Sequence, residues 1–167
     1  MKRRDFVHHV CPSIVLVHLA TAVNSCKDSA EPVENVPEAV IKEFASVSTR
    51  YNDEGYYMQG NLVYVNLSNP NLSKLGNNLG YANLLDAGVL LLRTDVNTLK
   101  AFSNCCPHQG NRAAWVFEKG RFKCENHGNS YNVNEINTVS CASNSISGGL
   151  IRFELIQYKN YIRVSKL

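Results

Sequence analysis

The sequence has little histidine, little net charge and no long apolar run, and each scarcity excludes something. Three of its five histidines, His8, His9 and His18, stand in the first 26 residues, so only His108 and His127 remain beyond them. A mononuclear iron centre built from two histidines and a carboxylate, added to any other histidine-ligated site, has no side chains to draw on there. The formal net charge is +3, and Lys2, Arg3 and Arg4 against Asp5 supply +2 of it, which leaves about +1 for the rest. So balanced a chain carries no electrostatic footprint for nucleic acid or for an anionic lipid face. The apolar stretch Val10 to Val23 is too short for an ordinary membrane-spanning helix and is interrupted by His18. There is no internal repeat. What is present, 44% apolar and 19% charged residues, suits one domain with a core and a tail.

The chemistry-bearing residues are concentrated between Ala101 and Tyr131. Two short cassettes stand there, Cys106-Pro107-His108-Gln109-Gly110 and Cys124-Glu125-Asn126-His127-Gly128, with fifteen residues between His108 and Cys124. Each supplies one thiolate and one imidazole from a tight loop. A glycine after each lets the backbone turn back. Thiolates and imidazoles together select zinc or iron–sulfur over magnesium or calcium. A structural zinc site takes two Cys and two His, usually from separate Cys-Cys and His-His pairs. Mixed loops also suit a two-iron cluster in which one iron takes both Cys and the other both His.

The pattern C-x-H-x-G, a spacer of about fifteen, then C-x-x-H-G-x-x-x-Y resembles the Rieske [2Fe–2S] family. The residues that carry the resemblance are Cys106, His108, Gly110, Cys124, His127, Gly128 and Tyr131. It implies an all-β domain, an antiparallel β-sandwich with a small cluster-binding hairpin subdomain, spanning about residues 61–167. It also implies a [2Fe–2S] cluster ligated by Cys106, His108, Cys124 and His127, with Gly110, Gly128, Asn129 and Tyr131 around it. Neutral imidazoles relieve the negative charge of an all-cysteinate cluster, so potentials of the class run from roughly −150 to +300 mV. Hydrogen bonds to the sulfurs set the value within that range. Quinol-oxidising members place a Ser after the second His-Gly and a Tyr two residues on, and both donate to sulfur. Here the Tyr position is Tyr131 but the Ser position is Asn129, which implies a middling potential.

Two further departures stand out. High-potential members carry a disulfide between the two cluster loops, and the corresponding positions here, near Asn111 and Asn126, hold no Cys. The family's Gly-Pro-Ala loop falls near Cys141 to Gly149, where there is no proline. Cys105 and Cys141 are left as either a disulfide or two thiols. Arg112, Lys119, Arg121 and Lys123 are either a patch for an acidic redox partner or a solvated hairpin face. Trp115 and Phe117 are expected beneath the cluster.

Residues 1–26 read as an export signal. Lys2-Arg3-Arg4 is its basic start, and Arg3-Arg4-Asp5-Phe6-Val7 resembles the twin-arginine motif of proteins exported folded. Val23-Asn24-Ser25-Cys26 resembles a bacterial lipoprotein box, with Cys26 as the lipid anchor. A flexible tether follows, within residues 27–60, with a short helix opened by Pro37. Asn52 to Gly60 reads as a turn and Ser68 to Gly80 as a loop. Strands are expected at Asn61 to Leu67, Gly88 to Arg93, Leu99 to Phe102, Ala113 to Glu118 and Arg121 to Cys124, the last two paired around Lys119-Gly120, with a last hairpin across Lys159-Asn160. The expected function is one-electron transfer between redox partner proteins, in the periplasm or cell envelope, from a membrane tether. No catalytic site is evident. Alternatives are a Rieske subunit of a quinol–cytochrome c reductase-like or arsenite-oxidase-like complex, and a metal-stabilised structural module.

Overall fold

The structure is a computed structural model and describes residues 36–166. The expected export signal, the lipid anchor at Cys26 and the first part of the tether, residues 27–35, lie outside the described residues. No helix among the described residues is long and apolar enough to cross a membrane.

The described residues are all-β and antiparallel, with one α-helix and one 3-10 helix among them. Helix α1 (Glu38–Val47) comes first, then β1 (Tyr56–Gln59), β2 (Leu62–Asn66), the 3-10 helix Pro70–Gly76, β3 (Tyr81–Leu84), β4 (Val89–Asp95) and β5 (Thr98–Ser103). After these come β6 (Trp115–Glu118), β7 (Arg121–Cys124), β8 (Asn129–Asn132), β9 (Arg152–Tyr158) and β10 (Tyr161–Ser165). Seven strands form one sheet in the order β1-β2-β10-β9-β5-β4-β3, and β6-β7-β8 form a second.

Alternation along the strands explains how the large sheet curls over itself. Val63 and Val65 of β2 and Ile162 and Val164 of β10 share a core with Val89 and Leu91 of β4 and Leu99 and Ala101 of β5. Strands from opposite ends of the sheet thus meet inside the curl, as successive side chains point to opposite faces. The intervening residues face outward into two satellite cores. Leu90 and Leu92 of β4 pack with Phe102, Trp115, Phe122 and Tyr131 beneath the small sheet. Both faces of β4 are therefore buried, which is why Val89-Leu90-Leu91-Leu92 is continuously apolar.

On the other outer face, Tyr64 meets Val40, Phe44 and Val47 of α1, spaced for one face of a helix. Glu43 on that helix accepts hydrogen bonds from the Tyr64 hydroxyl and the Arg163 guanidinium. Helix α1 and β1 thus belong to the same folded body as the strands after residue 61; β1 pairs with β2 from Tyr56↔Val65 to Gln59↔Leu62.

The structure differs from the sequence expectation in four elements, the first being β3 (Tyr81–Leu84), where no strand was expected. Residues 52–60, expected as a turn, contain β1. The segment from Ser68 to Gly80, expected as a loop, contains the 3-10 helix, which buries Leu72 and Leu75. The small sheet has a third strand, β8, beyond the expected hairpin. The hairpin turns stand where expected: Lys119 (φ 49°) and Gly120 (φ 74°) are both left-handed, the twist that a two-residue turn between β6 and β7 requires.

Candidate metal centre

The two cassettes are two loops of one construction. The first follows β5, and the second is the tight connection between β7 and β8. In each, the amide of the glycine four residues after the Cys closes on the Cys carbonyl: Gly110 to Cys106 at 2.7 Å and Gly128 to Cys124 at 2.8 Å. Both glycines need left-handed backbone, at φ 75° and 78°, which L side chains rarely adopt. The carbonyl of Asn111 accepts from the Cys106 amide, and the carbonyl of Ala114 accepts from that of Glu125, which binds the loops to the small sheet.

The donors come as two pairs. Cys106 and Cys124 are buried free thiols. Burial first, and the neighbouring Cys106 second, push the Cys124 thiol pKa up. His127 is exposed and His108 half-buried at the rim. Their Nδ1 atoms face each other at 3.3 Å, with ring planes 89° apart. Two imidazole nitrogens on one tetrahedral metal ion at about 2.1 Å each would stand roughly 3.4 Å apart. The pair is therefore spaced for a single metal. The Asn126 amide also reaches the His127 Nδ1, at 3.1 Å.

Among the described residues no group of three or more His, Cys, Asp or Glu side chains gathers as one ion needs. A single tetrahedral zinc would draw all four donors to one point. A buried thiol pair and a rim imidazole pair would instead suit a two-iron cluster, Cys106 and Cys124 holding one iron and His108 and His127 the other, which would supply a one-electron couple.

The surroundings depart from expectation at Tyr131. Its ring is fully buried in the core under the small sheet, edge-on to Trp115. Its hydroxyl lies 3.8 Å from the Cys106 sulfur but donates to the Ser145 carbonyl at 2.7 Å. Burial, then the adjacent Cys106, raise the pKa of this phenol, so it stays protonated. Asn129 pairs with Cys124 through the β7–β8 ladder and is half-buried. Trp115 and Phe117 pack with Phe122 in the same core, and the Trp115 Nε1 donates to the Asn104 carbonyl at 2.7 Å.

The basic residues do not form one patch beside the loops. Arg112 donates to the Asn104 side chain at 2.9 Å. Lys123 pairs with Glu118 of its own hairpin at 3.7 Å. Lys119 stands in the turn and Arg121 beside it, the latter three residues or about 10 Å of strand from Cys124.

Two features near the centre were not legible as such in the sequence. Asn104, fully buried, joins its amide to the Asn83 side chain and the Leu85 carbonyl, and accepts from Arg112. Its signal was a polar residue at the end of the apolar strand Leu99 to Phe102. Cys105 and Cys141 form a disulfide, with Cα atoms 5.3 Å apart. It ties the first loop to the segment that stands where the family's proline-containing loop was expected.

Residues 69–146, just under half of the chain, match the family model of the Rieske [2Fe-2S] domain. No curated protein sequence matches the chain. Similar solved structures include the reduced complex between oxygenase and ferredoxin in carbazole 1,9a-dioxygenase (19% identity, TM-score 0.45, 79% of this chain and 35% of that one). Others are the quaternary ammonium Rieske monooxygenase CntA with an inhibitor (18%, 0.39, 56% and 28%) and naphthalene 1,2-dioxygenase with indole (21%, 0.34, 51% and 22%). The chain spans about a third or less of the length of these structures. The loops, the paired donors and the family match lead to one conclusion: residues 69–146 are a Rieske [2Fe–2S] domain, a domain that binds a [2Fe–2S] cluster and so implies electron transfer through it.

Proposed function

We propose that this protein is an exported one-electron carrier, tethered to a membrane by Cys26, in which Cys106 and Cys124 hold one iron of the cluster and His108 and His127 the other. The observation that carries the ligand assignment is the Nδ1-to-Nδ1 approach of His108 and His127 at the rim, above a buried thiol pair. The cluster supplies a one-electron couple. The chain supplies the rest: a dry floor of Trp115, Phe122 and Tyr131 that excludes water from the sulfurs, and two rim imidazoles whose outer nitrogens can meet a partner protein or a proton.

Among the described residues only His108 and His127 are histidines, and both belong to the cluster loops. A second iron site with two histidines and a carboxylate therefore has no place among them, which favours electron transfer over oxygenation. Export and anchoring are read from Lys2-Arg3-Arg4, the apolar stretch Val10 to Val23 and the box ending at Cys26.

The test is EPR of the dithionite-reduced protein with iron and sulfide analysis of the same sample. A rhombic signal whose average g lies below that of all-cysteinate ferredoxins is expected. Bound zinc, or iron without sulfide, would overturn the assignment. Copurification from membranes with a b-type haem protein or a large molybdenum subunit would replace the free carrier with a complex subunit. For the anchor, Cys26→Ser is expected to move the protein out of the membrane fraction; unchanged fractionation would remove the lipid.

A further inference from the structure

We infer that the Cys105–Cys141 disulfide and the Ser145 carbonyl are positioning groups that hold the Tyr131 hydroxyl off the Cys106 sulfur, and so keep the reduction potential of the cluster down. The inference rests on the ligand assignment proposed above.

A phenol has one proton to give. A carbonyl can only accept, so at 2.7 Å the Tyr131 O–H is committed to Ser145. The contact with the Cys106 sulfur, 3.8 Å from the same oxygen, then has only the thiol proton to use, and a cluster-bound thiolate has none. Donation to a cluster sulfur favours the reduced, more negative state, so withholding it lowers the potential. Tyr131 thus occupies the position of a tuning residue while its proton is engaged elsewhere.

What places Ser145 there is the loop before it. Ala142, Ser143 and Asn144 donate their amides to the carbonyls of Cys106, Pro107 and His108 at 3.2, 2.7 and 3.1 Å, three rungs along the first cluster loop. The Ser143 hydroxyl is close to the carbonyls of Pro107 and Ser140 and to the Ser145 hydroxyl. Residues 141–144 are nonetheless exposed, and Ala142 and Asn144 hold left-handed backbone at φ 52° and 59° without being glycine. Exposed rungs carrying unfavourable backbone need a tether, and the covalent one is the disulfide to Cys105, the neighbour of Cys106. Without it, the loop can lift, Ser145 leaves, and the Tyr131 hydroxyl is free to turn to the sulfur.

The experiment is a four-member cycle on cluster-loaded protein: wild type, Tyr131→Phe, Cys105→Ser/Cys141→Ser, and all three substitutions together. Midpoint potentials are read by fast film voltammetry, with thiol counting to confirm the disulfide, and with iron, sulfide and EPR on every sample. Expected is no shift from Tyr131→Phe in the wild-type background, a rise when the disulfide is removed, and a fall when Tyr131→Phe is then added. The same downward shift in both backgrounds, or no rise on losing the disulfide, overturns the inference. If the disulfide-free forms do not fold, wild type against Tyr131→Phe decides alone, and a fall there overturns it. A wild-type sample without sulfide sinks the ligand assignment and this inference with it; a full cluster with equal shifts sinks this inference only.

Discussion

Trp115 donates its indole N–H to the main-chain carbonyl of Asn104 at 2.7 Å, tying the small sheet to the strand end from which the first cluster loop springs. The Asn104 side chain extends that tie to Asn83, Leu85 and Arg112, and the Asn104 main-chain N–H donates to the Gly88 carbonyl at 3.1 Å. Asn104→Ala strips partners from several buried groups at once. A loss of about 2–3 kcal/mol is expected in urea unfolding, together with faster loss of iron. Wild-type stability would mean that the network is replaced by water.

His127→Ala removes one of the two facing imidazoles but leaves the thiol floor intact. The variant is expected to lose the low-average-g signal and most of its iron, while its far-ultraviolet circular dichroism stays unchanged. Retention of the visible spectrum of the wild type would show that His127 is not a ligand.

Gly128 tests the loop backbone apart from the ligands. A Cβ there meets nothing within 4 Å, so Gly128→Ala costs only the left-handed conformation at φ 78°. About 1 kcal/mol of stability is expected to be lost. A loss several times larger in thermal unfolding would point to a loop rearrangement instead.

Glu43 ties α1 to the sheet through Tyr64 and Arg163, all partly shielded from water. Glu43→Ala leaves a guanidinium and a phenol without their acceptor. A cost of about 2 kcal/mol is expected from chemical denaturation, with the cluster spectrum unaffected. A change in that spectrum would show that α1 acts on the centre.

Tyr51 stacks near Tyr161, and its hydroxyl is buried without a partner. Burial first, and Tyr161 second, raise its pKa from 10.0 to about 12. The unfolded chain ionises first, so this contribution to stability is complete below pH 10 and is lost between 10 and 12. Tyr51→Phe is expected to shallow that alkaline loss and to gain up to about 1 kcal/mol at neutral pH. An unchanged stability curve above pH 10 would mean that the phenol is hydrated in solution.

What the sequence by itself determined was local. Two Cys–His cassettes, each closed by a glycine, specify their loops within five residues, since the turn that points Cys and His together is made by neighbours in the chain. The uninterrupted Val89 to Leu92 announced a strand buried on both faces, and Lys119-Gly120 announced the turn between β6 and β7. Short elements with mixed composition were not legible: β1 is half exposed, and the 3-10 helix is hidden among Asn, Ser and Gly, with only Leu72 and Leu75 turned inward. What only the tertiary structure decided were the pairings between distant segments. Cys105 meets Cys141 across 36 residues, Glu43 meets Arg163 across 120, and the Ser145 carbonyl accepts the hydrogen bond that Tyr131 was expected to offer to sulfur. Composition cannot choose such partners, because a donor's partner is fixed by which loop the curled sheet brings beside it.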